Sequence, residues 1–368
     1  MTTLATYLNF SNGKKRPSHI GAIPVYGGNG ILDYTDRSNN ENCLVIGRVG
    51  AYCGSVYYAS DACWVSDNAI AAKPIGKNSL RFFYYLLQSL HLQKRQIGTS
   101  QPLLTQGVLN AITCDAPGPI IQNKIAAVLS ILDSKITLNN RLNDYLAELG
   151  DTVFSHALED CEQQVTYRTF DSFCEVKGGK RLPKGTDLVP EANSHPYIRV
   201  RDLNNASVLL LTPEMLYVDD ETQSSISRYI VNAGDVIVSV VGTIGLTAYI
   251  GKTLEGANLT ENCNKLTSFK GDLAAWSYFF LRSAAGAEAI RLGTVGAVQA
   301  KLPLKNIKSI EVPFIPDFAM EKAVATLNDI LEMMQVNLVE SLALAKLRDV
   351  LLPKLMSGEV DVSKVQVK

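Results

Sequence analysis

Zinc-ligand spacing is absent from this sequence. Its seven cysteines (43, 53, 63, 114, 161, 174 and 263) form no Cys-x-x-Cys pair, and it holds only four histidines, so no metal site is expected. An odd number of cysteines in a long chain reads as reduced thiols in a cytoplasmic protein. The first residues, Met1-Thr-Thr-Leu-Ala-Thr-Tyr-Leu-Asn-Phe10, lack the basic stretch and apolar core of a secretory signal. No run approaches the roughly 18 apolar residues that a membrane span requires. A surplus of positive charge is missing too: the net charge is −1. Bulk basicity therefore advertises no nucleic-acid partner, although phosphate affinity needs only a local basic face.

Catalytic signatures are equally scarce. No Gly-x-Gly-x-x-Gly, Gly-x-Ser-x-Gly or His-Glu-x-x-His is present, nor the Asp-Pro-Pro-Tyr or Asn-Pro-Pro-Tyr of adenine methyltransferases. Gly245 to Gly251-Lys252-Thr253 has five residues between its glycines where a phosphate loop needs four, and it continues a strand-like run rather than opening a helix. His19, His91, His156 and His195 stand far apart. No catalytic residue, cofactor or metal is expected of this chain.

What the sequence does contain is itself, twice. Gly13-Lys-Lys-Arg-Pro17 recurs 166 positions on as Gly179-Lys-Arg-Leu-Pro183, and Ile23-Pro-Val-Tyr26 has an echo 172 on in His195-Pro-Tyr-Ile198. Val45-Ile-Gly-Arg-Val-Gly50 matches Ile237-Val-Ser-Val-Val-Gly242 at 192. Ile112, Lys124, Leu129, Leu146 and Leu149 match Ile310, Lys322, Leu327, Leu344 and Leu347 at 198. The offset only grows, and it grows between matched segments, as loop insertions in the second copy require.

Each copy opens on strands and turns. Cys43-Leu-Val-Ile-Gly47 and Asp235-Val-Ile-Val-Ser-Val-Val241 are apolar, β-branched runs of the kind that form buried strands. Short helices fit 80–92 and 274–283, their aromatic stripes (Phe82, Phe83, Tyr84, Tyr85; Trp276, Tyr278, Phe279, Phe280) reading as core. Each copy ends in a long helix, over about 120–158 and 317–352. Ile125, Leu129, Leu132 and Ile136, then Leu142, Leu146, Leu149 and Val153, form one apolar seam. Val324, Leu327, Leu331, Met334 and Leu338 form the other, in coiled-coil spacing; Pro353 and Gly358 close the second helix. A helix of about 40 residues spans roughly 60 Å, and two equivalent seams most simply bury each other, antiparallel if a two-fold axis relates the copies.

At this point the residues resemble a family. Ile23-Pro-Val-Tyr-Gly-Gly-Asn-Gly30, Val45-Ile-Gly-Arg-Val-Gly50 with Cys53-Gly54, and Trp64-Val-Ser-Asp-Asn68 are similar to the target-recognition domain of the specificity subunits of type I restriction–modification enzymes. Lys346-Leu-Arg-Asp-Val-Leu-Leu-Pro-Lys-Leu-Met-Ser-Gly-Glu359 resembles the end of that family's second spacer helix. The first helix departs from the family pattern, opening after Cys114-Asp-Ala-Pro-Gly-Pro119 with Ile120-Ile-Gln122. The resemblance implies an α+β chain of two repeated target-recognition domains, 1–117 and 159–315. Two long antiparallel coiled-coil helices, 118–158 and 316–358, separate them, and 359–368 form a tail. Each domain would read one half of an asymmetric bipartite target in double-stranded DNA, with the helices setting the gap. Two methyltransferase (modification) subunits would dock on the helices, motor-nuclease (restriction) subunits would add cleavage, and no membrane would be involved. Catalysis would lie in those partners.

A DNA reader needs cations for phosphates and amide or guanidinium groups for base edges. In the first copy the candidates are Lys14, Lys15, Arg16, Asn29, Arg48 and Asn68. In the second they are Lys180, Arg181, Lys184, Arg199, Arg201, Asn262, Asn264 and Lys265. Asn139, Asn140, Arg141, Glu332 and Glu340 are candidate docking positions on the helices. The bland reading of each basic cluster is a solvated surface, and Asn29 fits a turn equally well. The competing function is a scaffold that binds proteins rather than DNA, which the near-zero net charge favours.

Overall fold

A computed structural model describes residues 2–98, 102–204, 206–296 and 299–365. The chain divides into two compact units, Met1–Lys135 with Leu344–Lys368, and Ile136–Ala343.

In the first unit an antiparallel four-stranded sheet has the order Leu8–Asn12, Ala69–Pro74, Cys43–Gly47, Val56–Ala59. The run Cys43–Gly47 is buried along its whole length, which is why it reads as continuously apolar rather than alternating. A three-stranded sheet (Gly30–Thr35, Ile23–Gly27, Trp64–Val65) and a two-stranded one (Thr2–Thr3 with Thr113–Cys114) complete it. The helix Leu80–Ser89 buries Phe82, Phe83 and Tyr85 in the core.

The second unit repeats these parts. Its larger sheet runs Glu175–Gly178, Cys263–Thr267, Val236–Ser239, Thr247–Ile250, and adds Val208–Leu209 as a fifth strand, parallel to its neighbour. Leu216–Tyr217, Pro196–Ile198 and Asn258–Leu259 make the smaller sheet, and Thr166–Thr169 pairs with Glu311–Phe314. The helix Ala274–Arg282 buries Trp276, Tyr278, Phe279 and Phe280. Val208–Leu209 lies where the offset grows from 172 to 192, so the insertion is an added strand with its loops.

Backbone hydrogen bonds make the duplication concrete. Leu4 N–H donates to Ile112 O at 2.8 Å, and Phe170 N–H to Ile310 O at 3.2 Å. Ser66 N–H donates to Tyr26 O at 2.9 Å, and Thr260 N–H to Ile198 O at 3.1 Å. Partners in these pairs are 166, 198, 194 and 172 residues from their counterparts, bracketing the offsets read from the sequence.

Both long helices form, over Pro119–Asp160 and Asp317–Ser357. In the second unit Asn139 reaches Glu340 and Ser341, while Asn143 reaches back to Met334. In the first unit Asp133 meets Arg348 at 2.8 Å, Ile121 and Ile125 line one cavity with Leu355 and Met356, and Lys124 meets Ser363 just past the helix end. Residues that rise along one helix meet residues that fall along the other, so each segment pair is antiparallel. Three expectations need correction. Past Ile136 the buried face is Asn139, Asn143, Leu146 and Gly150, whereas Leu142 and Leu149 are exposed. Continuing the three–four spacing from Ile136 lands on those asparagines; the leucines lie one residue off the seam. Asn139 is therefore buried, not a docking position. Pro353 sits within the helix, which ends at Ser357 before Gly358 at φ +77°.

Candidate nucleic-acid interface

In the first unit the basic loop leaves its strand at Gly13. Gly13 N–H donates to Ala69 O and Lys14 N–H to Val65 O, both at 3.0 Å. A Cβ on Gly13 would lie 1.9 Å from Ser66 O, so only glycine allows this approach. Lys14, Lys15 and Arg16 follow, all exposed; Arg16 comes within 3.6 Å of Asp33 in a solvated pair of little energetic weight. The hairpin turn carries exposed Asn29, with the left-handed conformation taken by Gly30 at φ +81°. A Cβ on Gly28 would lie 3.5 Å from Gly47 Cα, so this turn rests on the strand end that bears Arg48. Arg48 N–H in turn donates to Asn68 O at 2.9 Å. The fold thus gathers Lys14, Asn29, Arg48 and Asn68 into one neighbourhood. Arg48 is half-buried, and its Nε is closed off from water without a hydrogen-bond partner.

The second unit builds the same frame. Gly179 N–H donates to Cys263 O at 3.0 Å and Lys180 N–H to Leu259 O at 2.8 Å; a Cβ on Gly179 would lie 2.0 Å from Thr260 O. Lys180, Arg181 and Lys184 are exposed. Lys180 Nζ stands 5.4 Å from the centre of the Tyr229 ring. Arg181 Nε donates to Glu261 Oε1 at 2.8 Å. Burial pushes the Glu261 carboxyl up, but the Arg181 bond and charge, the residue's own backbone N–H and the Thr260 hydroxyl together hold the group below its usual range. Val240 N–H donates to Asn262 O at 2.8 Å, so Asn262 occupies the place of Asn68, and Val240 that of Arg48.

Three candidates of the second copy are engaged internally. Asn264 and Lys265 are each 6% exposed, because Cys263–Thr267 is covered on both faces. Lys265 Nζ donates to Asp235 Oδ2 at 3.1 Å and Ile230 O at 2.6 Å. Arg199 closes a two-pronged pair with Asp202 at 2.9 and 2.7 Å, which ties down the inserted loop. Exposed Arg201 lies 3.9 Å from the same carboxylate. The buried positions reflect what the strand pattern hides: an inner strand with polar residues reads like an exposed one.

Sequence reasoning missed an apolar ledge present in both units. Val49 and Ile97 are 39% and 56% exposed, and their counterparts Val241 and Val295 are 41% and 42% exposed. Each pair is bridged by one residue, Leu103 or Lys301. The 192 and 198 offsets, applied position by position, would have found it.

Ser194, His195 and Asp220 come together, but Ser194 Oγ at 3.3 Å and Asp220 Oδ1 at 2.9 Å both meet the same His195 Nε2. A nucleophile relay needs both ring nitrogens, so this cluster is not one. The Gly245–Gly251 stretch forms the strand Thr247–Ile250, and Lys252 pairs with Glu332 on the second long helix at 2.7 Å. Among the described residues no group of three or more His, Cys, Asp or Glu is arranged to hold a metal, and no helix is long and apolar enough to cross a membrane.

Known proteins share this design. The "Type I restriction enzyme EcoprrI specificity subunit" of Escherichia coli is 29% identical over 132 residues, which take in 36% of this chain and 32% of that protein. The match spans about a third of the curated relative. The crystal structure of the type I restriction–modification system S subunit from M. genitalium covers 96% of this chain and 94% of its own, with a TM-score of 0.62 at 20% identity; that likeness establishes the fold. The HsdS subunit from Thermoanaerobacter tengcongensis aligns over 96% and 97% with a TM-score of 0.36 at 14% identity. The family described as "Type I restriction modification DNA specificity domain" matches twice, over residues 11–148 and 162–336. Both copies of the repeat are therefore accounted for, and the chain belongs to the type I restriction–modification DNA specificity family.

Proposed function

We propose that the chain is the sequence reader of a type I restriction–modification complex, each recognition domain taking one half of an asymmetric bipartite target in double-stranded DNA. The observation that carries this reading is the repeated frame: a glycine pressed against a backbone carbonyl, a turn of exposed cations, and an asparagine at the neighbouring strand end, once in each unit. Cations on phosphates fix register, and amide edges beside them suit base contacts. Lys14, Lys15, Arg16, Asn29, Arg48 and Asn68 serve one half-site. Lys180, Arg181, Lys184, Arg201 and Asn262 serve the other, while Arg199, Asn264 and Lys265 support the frame from within. The recognition domains are 1–117 and 159–315, and the helices between and after them set the gap.

Two copies of one methyltransferase subunit dock on the helices and supply the chemistry, and motor-nuclease subunits add cleavage. Repetition supports the pairing of partners. Ile120 and Phe318 are counterparts 75% and 82% exposed, and Leu138 and Val336 are counterparts 59% and 56% exposed. One apolar pattern shown twice fits one partner bound twice. The complex acts on chromosomal DNA in the cytoplasm.

The test is to co-express the chain with its methyltransferase subunits, map the methylated sites and titrate binding against salt. A two-part target and affinity falling steeply with salt are expected. Sequence-independent binding that ignores salt would support the protein scaffold instead.

A further inference from the structure

We propose that Arg48 determines specificity in the first unit by presenting its guanidinium to a guanine in the major groove, and that the second unit has no reader at the matching position. The inference rests on the DNA-reading function above and adds the residue and the base. Backbone bonds fix the equivalence. Arg48 N–H donates to Asn68 O and Leu104 N–H donates to Arg48 O; Val240 N–H donates to Asn262 O and Leu302 N–H donates to Val240 O. At this shared position the second unit has a valine that is 6% exposed and packed in the core. The first unit has a cation.

That cation is unsatisfied. Its Nε has no hydrogen-bond partner, and among the described residues none pairs with the guanidinium. The Nε is enclosed by the chain, but the two terminal nitrogens of the half-buried guanidinium keep access to the surface and meet no carboxylate or carbonyl among the described residues, so this pair of donors is free for an acceptor from outside the chain. The surroundings admit one. Gly28 and Gly47 flank the site without side chains, and a Cβ on Gly50 would meet nothing within 4 Å. Val49, the next residue, is 39% exposed, and Asn29 and Asn68 are exposed beside it. A planar fork of donors matches the N7 and O6 acceptors of guanine, whereas a phosphate contact would read no sequence.

The experiment uses the chain in complex with its methyltransferase subunits, after exchange of residues 1–117 has assigned the first unit's half-site. Arg48→Met is expected to lose about tenfold or more of the preference for guanine at one position of that half-site. The other half-site stays unchanged, and the melting temperature does not fall. Arg48→Lys keeps the charge but loses the fork, and is expected not to restore the preference. Uniform weakening on all sequences that Arg48→Lys repairs would mark a phosphate contact and overturn the proposal. So would an unchanged preference, or a change confined to the other half-site. A wild-type complex with no bipartite preference would instead overturn the function proposed above.

Discussion

Asn139 and Asn337 meet across the helix pair of the second unit, Asn139 Nδ2 donating to the Asn337 carbonyl oxygen at 3.2 Å. They stand 198 residues apart, the spacing that relates the two copies at this end of the repeat, so each is the other's counterpart. Asn337 Nδ2 donates onward to Asn143 Oδ1 at 2.8 Å, and Asn139 Nδ2 also reaches Glu340 Oε2 at 2.8 Å. Buried amides in a coiled-coil seam specify register at some cost in stability.

Asn139→Asp tests this directly. The introduced carboxylate would face the Asn337 carbonyl and the Glu340 carboxylate, with its donor gone. A loss of about 3 kcal/mol is expected at neutral pH. The native state then raises the new group's pKa above its unfolded value of about 4, so the penalty is present at high pH and fades as pH falls through the raised value. Melting temperatures of variant and wild type, compared at pH 8 and pH 5, should converge at the lower pH; an equal gap at both would refute the assignment.

Gly150 lies in the middle of a long helix, where alanine is ordinarily better by about 1 kcal/mol. Here a Cβ would lie 2.2 Å from the Phe279 ring. Gly150→Ala is therefore expected to destabilise the chain by roughly 1–3 kcal/mol through overpacking. Urea denaturation reads the sign, and a stabilised variant would show that the helix–ring approach is wrong. The matching place in the first unit is polar: Tyr85 donates to Asp133 at 2.6 Å, which also accepts from Arg348, the counterpart of Gly150.

The Lys265–Asp235 pair has both side chains under a tenth exposed. Lys265→Met leaves the carboxylate buried with the Asn232 N–H but without its counter-charge, and is expected to cost about 3–5 kcal/mol. Adding Asp235→Leu should recover most of that loss, because two apolar groups tolerate the same site. A double variant as unstable as the single one would argue against the pairing.

Lys14 and Lys180 occupy equivalent turns. If both meet phosphates, Lys14→Ala and Lys180→Ala each weaken DNA binding evenly across sequences and flatten the salt slope by about one unit. Affinity measured across a salt series on specific and scrambled duplexes checks this. A change in sequence preference would move these lysines from phosphate to base contacts.

The architecture was legible because duplication left ordered matches: glycine-bounded turns, apolar strands and two heptad runs survive loop insertion. Phe82 and Trp276 read as core residues and are buried. Details that depend on one residue's direction were harder. Leu142 and Leu149 look like seam residues by type, yet the seam follows spacing and takes the polar Asn139 and Asn143. Lys265 and Asn264 look like surface residues by polarity, yet their strand is covered on both faces. Arg48 was legible as a candidate, but its lack of a partner appears only when the neighbouring side chains have positions.

The strand Val208–Leu209 has a consequence for solubility. It occupies the outer edge of the larger sheet in the second unit, pairing with Thr247–Ile250. Among the described residues the first unit has no such addition, and Val56–Ala59 ends its sheet on that side. Unpaired edges invite pairing with foreign chains. Self-association through β-edges should thus begin at the first copy, and a charged residue placed along Val56–Ala59 is the economical remedy during overexpression.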